Sequence, residues 1–331
     1  MHVHLENFTS KPRVFWLTPQ LVRATRRSHP GIGVRFTVGE DLRDFERRLA
    51  SARVLVTSSD VIRDARFPRA RLAQAAPHLE LVHLIGAGVE GVLPLDWLPR
   101  GVRLTNNSGV HADKAREFLL MALLALNARL PAIVTNQRLA RWEQIFTPRI
   151  RGKTLAVIGL GDMGRAAVLA GRQLGLRIVG VSRSGRRVAG VERVYRPTQL
   201  RVALKGADFL VIAAPLTAQT AKLVDGAALQ SMNPGGGLVN IGRAGILDHE
   251  ALVDLLAAGH LGGAILDVLP AEPLPASSSL WSAPNLIVHP HVSSDDADRY
   301  MLDTMNLVCR NIARLRARRP LENVVNPDHG Y

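Results

Sequence analysis

Leu155-Ala156-Val157-Ile158 reads as a buried strand and runs straight into Gly159-Leu160-Gly161-Asp162-Met163-Gly164, after which a helical pattern begins at once. A G-x-G-x-x-G by itself says little, but strand, glycine turn and helix in that order constrain the fold strongly. Gly159 permits the tight turn, Gly161 lets backbone approach a pyrophosphate, and Gly164 lets helix and strand pack closely. Backbone N–H groups at the start of a helix, helped by its dipole, then hold the anion. Residues 159–164 are therefore the expected dinucleotide cradle of a Rossmann-type domain.

The end of the following strand decides which dinucleotide. An NAD(H) site carries a carboxylate about 20 residues after the turn, where it binds the ribose hydroxyls. Here the chain reads Val181-Ser182-Arg183-Ser184-Gly185-Arg186-Arg187, with no acid. Hydroxyls and guanidinium groups suit a 2′-phosphate, which a carboxylate would repel. NADP(H) is thus expected in preference to NAD(H). Arg183 is the main phosphate ligand in this reading, assisted by Ser182 and by Arg186 or Arg187, with Ser184 in the same cofactor-binding stretch. A solvated arginine loop is the alternative.

The rest of the chain repeats a β-α-β rhythm, which implies an α/β fold of two Rossmann-like, doubly wound parallel-sheet domains with a cleft between them. Strands are expected at 14–17, 34–38, 54–57 and 81–85, with helices at 41–50 and 69–75. In the second half, strands are expected at 155–158, 177–181, 209–213, 237–240, 263–267 and 286–288, with helices at 162–174, 198–204, 226–232 and 249–258. A long apolar helix from Asp113 to Leu130 and a last helix from Asp296 to Arg316 would cross between the domains. Residues 113–292 form the dinucleotide-binding domain; 1–112 plus 293–331 form the substrate-binding, flavodoxin-like domain. His2 and His4 are expected in a disordered terminus.

Composition excludes several other classes. The net charge of +14 raises nucleic acid as a partner, but the basic residues are mostly scattered arginines with no aromatic interleaving, so none is expected. The longest apolar run, 118–126, is too short to cross a bilayer, which needs about 20 residues, and the first residues do not resemble a secretory signal. A single cysteine, Cys309, rules out an internal disulfide, fits a reducing cytoplasm and falls in a helical pattern as a buried thiol.

Further motifs follow in order: Val239-Asn240-Ile241-Gly242-Arg243, Leu266-Asp267-Val268, Ala271-Glu272-Pro273, Leu280-Trp281 and His289-Pro290-His291. Upstream stand Gly86-Ala87-Gly88-Val89-Glu90, Asn107 to Ala112, and Ala214-Pro215-Leu216-Thr217 with Thr220. This succession resembles the D-isomer-specific 2-hydroxyacid dehydrogenase family. The resemblance implies a catalytic trio of Arg243, Glu272 and His291. It also implies cofactor contacts from Ala214, Pro215, Thr220, Ile241, Gly242, Arg243, Asp267 and His291. Substrate binding would fall to the backbone of Ala87 and Gly88, with Arg243 and His291.

The residue types suit that chemistry. Reducing a 2-keto acid takes a hydride and a proton, and histidine is the side chain that titrates near neutrality. Glu272 would orient the imidazole, and the planar fork of Arg243 would hold the substrate carboxylate. Two departures stand out: Ala244 where the family usually has glycine, and His289 where it commonly has threonine. The resulting His-Pro-His is not expected to bind metal, having no nearby ligand cluster.

Together with the missing acid, the resemblance implies NADPH-dependent reduction of a small 2-keto acid, nearest the glyoxylate and hydroxypyruvate reductases, and, from the family, a homodimer. Two alternatives remain. One is an NAD-linked dehydrogenase of a larger hydroxy acid such as phosphoglycerate. The other is a non-catalytic, NAD(P)(H)-sensing protein like the family's corepressors.

Overall fold

Runs rich in Val, Ile and Leu fold into two separate all-parallel sheets, each covered on both faces, as parallel sheets require. The computed structural model describes residues 1–326; the last five residues of the expected 293–331 segment lie outside the described residues. Two compact units result. One comprises Met1–His111 with the chain from Asp296 onward, the other Ala112–Asp295.

The first unit contains β1 (His2–Asn7), β2 (Arg35–Glu40), β3 (Val54–Thr57), β4 (Leu81–Leu84) and β5 (Arg103–Thr105), in the order β2-β1-β3-β4-β5. That is the flavodoxin-like order. Its helices before the domain crossing are α1 (Pro19–Ser28), α2 (Phe45–Leu49), α3 (Ser59–Arg63) and α4 (Leu72–Ala75). Alternate residues of β3 face opposite layers. Val54 and Val56 join Met301, Met305, Val308 and Ile312 of the last helix, Tyr300–Arg316. Leu55 joins Phe45, Ile62, Leu72 and Trp97 on the other side. Cys309 is buried in that last helix, and burial pushes its thiol up to about 11.

Four expectations are corrected in this unit. His2 and His4 lie in β1, buried beside β2 and β3. Their polarity hid the strand, but each polar group is satisfied in place. His4 bonds Glu6 Oε2 at 2.9 Å and Thr37 Oγ1 at 2.8 Å, while Glu6 Oε1 accepts from the Leu42 N–H at 2.7 Å. The strand expected at 14–17 is a single 3₁₀ turn, Arg13–Phe15. The helix expected at 41–50 shrinks to α2 because Asp41, Leu42 and Asp44 all have positive φ, which breaks the helix. The last helix likewise starts at Tyr300, not Asp296.

The second unit opens with α5 (Ala112–Asn127) and α6 (Leu130–Arg138). Then come β6 (Thr154–Ile158), α7 (Asp162–Gln173), β7 (Arg177–Val181), β8 (Arg193–Tyr195), α8 (Leu200–Leu204), β9 (Phe209–Ile212), α9 (Gly226–Gln230), β10 (Gly236–Asn240), α10 (His249–Ala257), β11 (Leu261–Leu266) and β12 (Leu286–Val288). The sheet order is β12-β11-β10-β9-β6-β7-β8, the doubly wound plan with a switch point between β6 and β9. Leu155, Val157, Val211 and Val239 pack under α5 and α7. Ala156, Ile158, Leu210 and Leu238 pack under α8, α9 and α10. Seven strands stand where six were expected. The extra one, β8, is a short edge strand without an apolar run, and the Arg193 guanidinium lies 4.8 Å above the Tyr195 ring. Among the described residues no single helix is long and apolar enough to cross a membrane.

A fully buried histidine gives the first unit a pH response. His83 on β4 donates from Nε2 to Asn107 Oδ1 at 3.2 Å and lies 2.9 Å from Thr105 Oγ1 through Nδ1. Desolvation pushes its pKa down to about 4. An unfolded histidine titrates near 6.5, so between these values the unfolded chain binds a proton that the folded chain does not. Stability should therefore fall as pH drops from 6.5 to 4, by about 3 kcal/mol in full. Chemical denaturation across that range should show the loss, and His83→Gln should flatten it. His2, whose pKa burial also lowers, leaves a residual slope of the same sign.

Candidate active site

The glycine turn after β6 is shaped by the protein at two positions and left open at the third. Gly159 has φ +87°, and a Cβ there would lie 2.7 Å from the Cα of Ala214. A Cβ on Gly164 would lie 1.8 Å from the Gly159 carbonyl oxygen. A Cβ on Gly161 would meet nothing within 4 Å, which is the open space a pyrophosphate needs. Leu160 packs over Gly180 and Met163 joins the core beneath α7, so both anchor the turn, while Asp162 is exposed. α9 and α10 are capped by the side chains of Asp225 and Asp248, whereas α7 begins at Gly161 with no side-chain cap. Its first-turn N–H groups have no carbonyl of their own helix to bond. These features fit a dinucleotide phosphate.

At the end of β7, Ser182 donates its N–H to the Tyr195 carbonyl, and a tight turn returns from Gly185 N to Ser182 O. Arg183, Ser184, Arg186 and Arg187 are exposed on this turn, and Ser184 Oγ accepts from the Arg186 N–H. No carboxylate occurs between Asp162 and Glu192. Glu192 itself bonds Arg177, at the opposite end of β7. Arg196 adds a cation that the sequence reading missed: its Cγ lies 3.1 Å from where a Cβ on Gly185 would be.

Across the switch point, Ala214 is buried between Gly159 and Gly242, whose Cβ would sit 2.8 Å from the Ala214 carbonyl. Thr220 Oγ1 donates to the Pro215 carbonyl at 2.8 Å and accepts from the Thr217 N–H, closing that loop on itself. Ile241 and Gly242 are buried at the end of β10. Asn240, fully buried, accepts from Gly242 N–H at 3.0 Å and donates to the Arg243 carbonyl at 3.3 Å. It sets the course of the chain that carries Arg243. An asparagine ending an otherwise apolar strand was the signal for this role.

Arg243, Glu272 and His291 follow β10, β11 and β12, three consecutive neighbours in the sheet, so all three emerge at its carboxyl edge. His291 Nδ1 lies 2.7 Å from Glu272 Oε2, and Glu272 Oε1 accepts from the Leu269 N–H at 3.0 Å. With the carboxylate accepting from Nδ1–H, Nε2 is the nitrogen left to exchange a proton. Half of the His291 side chain is exposed. Arg243 Nη1 donates to the Gly242 carbonyl at 2.8 Å.

Beside this pair is a second one. His289 Nδ1 lies 2.6 Å from Asp267 Oδ1. The two histidines thus turn to different carboxylates, and no group of three metal-ligating side chains occurs among the described residues. Asp295, also overlooked in the sequence, is near enough to feel both His291 and Asp267. Burial raises its pKa, the His291 charge opposes that, and Asp267 adds to it. Ala87 and Gly88 belong to the first unit, in the loop after β4. There Asn106 Nδ2 donates to the Ala87 carbonyl at 2.8 Å, and Asn107 N–H donates to the Gly86 carbonyl.

Residues 120–293 match the family model described as D-isomer specific 2-hydroxyacid dehydrogenase, NAD binding domain. The chain belongs to this dehydrogenase family. Its members are NAD(P)-dependent oxidoreductases. Among relatives of this dehydrogenase, glyoxylate/hydroxypyruvate reductase A of Arabidopsis thaliana is 32% identical over 228 residues, spanning 68% of this chain and 72% of that one. The NADPH-dependent glyoxylate/hydroxypyruvate reductase of Sinorhizobium meliloti, solved with NADP and sulfate, superposes with a TM-score of 0.79 at 27% identity over all of both chains. A D-isomer specific 2-hydroxyacid dehydrogenase of Xanthobacter autotrophicus Py2, solved with NADPH and MES, gives 0.80 at 27% over 99% of each.

The two kinds of glycine in the turn separate experimentally. Gly164→Ala places a methyl inside backbone and should destabilise by about 3 kcal/mol or more. Gly161→Ala should leave the melting midpoint nearly unchanged yet weaken NAD(P)(H) binding about tenfold, by crowding the approach to the phosphate. Calorimetric melting and fluorescence titration of the two variants would check both.

Proposed function

We propose that this dehydrogenase reduces small 2-keto acids, of the glyoxylate and hydroxypyruvate class, to D-2-hydroxy acids with NADPH. The observation that carries the reading is the 2.7 Å His291–Glu272 pair, set at the sheet edge that also bears Arg243 and the glycine turn. Bound NADPH supplies the hydride. Gly159 to Gly164 hold its pyrophosphate. The loops at Ala214–Pro215 with Thr220, and at Ile241–Gly242, flank the cofactor. Asp267 Oδ2 accepts one hydrogen bond within the protein and retains capacity for another from the cofactor.

His291 donates the Nε2 proton to the carbonyl oxygen as negative charge develops there, and Glu272 stabilises the imidazolium before and the correct tautomer after. Arg243 pairs with the substrate carboxylate and polarises the ketone. Preference for NADP(H) rests on the exposed arginine turn and the absence of any acid from 163 to 191.

The working form in this reading is a cytoplasmic homodimer. Met121, Leu124, Ile133, Leu139, Trp142 and Phe146 are all more than 40% exposed within one stretch of chain. So dense a run of apolar surface suits burial against a second copy.

Initial rates of NADPH oxidation with glyoxylate, hydroxypyruvate, pyruvate and larger keto acids test the activity. His291→Ala should lower kcat by about a thousandfold or more while NADPH still binds; undiminished turnover would refute the proton-donor role. Arg183→Ala should raise the KM for NADPH by about tenfold or more and leave that for NADH nearly unchanged. Equal losses with both cofactors would move the 2′-phosphate elsewhere.

A further inference from the structure

We propose that His289 is a positioning residue for the reaction: by donating Nδ1–H to Asp267 it completes a carboxylate brace that grips the chain on both sides of His291. The inference rests on the reading of His291 as proton donor.

Asp267 follows β11 and its side chain is only 3% exposed. Four donors converge on it. Oδ1 takes His289 Nδ1 at 2.6 Å, the Val292 N–H at 3.0 Å and the Ser293 N–H at 3.1 Å, and Oδ2 takes the Ser293 hydroxyl. One donor precedes His291 and the others follow it, so the catalytic histidine stands on a short arch whose two feet share one carboxylate. His289 is tied further, through its own N–H to the Leu266 carbonyl at 2.8 Å and through ring contact with Phe118 of α5 at 4.8 Å.

The arch needs such support. His291 has φ +56°, a left-handed conformation that is unfavourable for any residue with a Cβ. Pro290 supplies no N–H with which the arch could stabilise itself. Without the His289 foot, Asp267 would still hold 292–293, but the approach to His291 from the sheet would lose its side-chain anchor. The His291 ring would then sample orientations away from Glu272.

Two substitutions separate bracing from mere filling of space. His289→Leu keeps apolar contact with Phe118 and removes the donor; His289→Asn keeps an N–H donor at similar reach and removes the ring. Both full-length variants, with wild type, would be compared by amide hydrogen exchange over 289–294 and by steady-state kinetics with NADPH and keto acid. A brace requires the Leu variant to exchange its Val292 and Ser293 amides about tenfold faster and to lose about tenfold in kcat with little change in KM. The Asn variant should recover most of both.

Wild-type exchange or wild-type kcat in His289→Leu, or an Asn variant worse than the Leu variant, would overturn the proposal. If the wild-type protein reduces no keto acid, it is the reductase reading that fails. The exchange comparison, which needs no turnover, then decides the brace by itself.

Discussion

Parallel pairing is the constraint on which the second unit depends. A parallel strand cannot return through a hairpin; each must be followed by a crossover before the next begins. Every strand therefore releases the chain at the same edge, and every loop at that edge is free to carry a function. Gly159, Ala214, Ile241 and Gly242 line the switch point, while Arg243, Asp267 with Glu272, and His291 come off three neighbouring strands. Adjacent strands lie about 4.8 Å apart, so three successive strand ends bring these loops to one edge of the sheet with no long-range design beyond register. The close contacts of Gly159 and Gly242 with Ala214 then hold those loops together across the switch point.

The same side-chain chemistry serves two purposes along this edge. Asp267 is almost wholly buried and its charge is met by four donors, which makes it a structural hub. Glu272 is 38% exposed, with one oxygen on a backbone N–H and the other on His291. An ion pair that exposed contributes little to stability, about 0–1 kcal/mol. What Glu272 provides is direction: by accepting from Nδ1 it orients the imidazole ring and leaves Nε2 as the nitrogen not engaged by the carboxylate.

Much of this was legible in the sequence because several of its signals are backbone requirements. Gly159 needs positive φ and Gly164 a missing Cβ, and no other residue meets either demand cheaply, so the turn announces itself. The strands of the second sheet are legible because they are buried on both faces and read as continuous apolar runs. β1 was hidden for the opposite reason. His2, His4 and Glu6 look like surface residues until Thr37 of β2, Ser51 and the Leu42 N–H complete their hydrogen bonds, and such long-range partners leave no local trace. The shortened α2 turns on consecutive left-handed residues with no glycine among them. His289 showed only as a departure from a familiar pattern; its carboxylate partner, 22 residues earlier, emerged with the fold.

Placing a histidine at positive φ costs about 1–2 kcal/mol, which a loop held only by its own backbone would relieve by relaxing. Here relaxation would have to break several charge-assisted hydrogen bonds to a buried carboxylate, each worth about 1.5–3 kcal/mol. The strained arch is therefore the lower-energy alternative, and the His291 imidazole is presented toward Glu272 before any ligand arrives. Organising the site in this way spends folding energy where a flexible loop would spend binding energy at each turnover. It also explains why the carboxylate with the most hydrogen bonds at this edge is not the one that touches His291, but the one that holds the chain on either side of it.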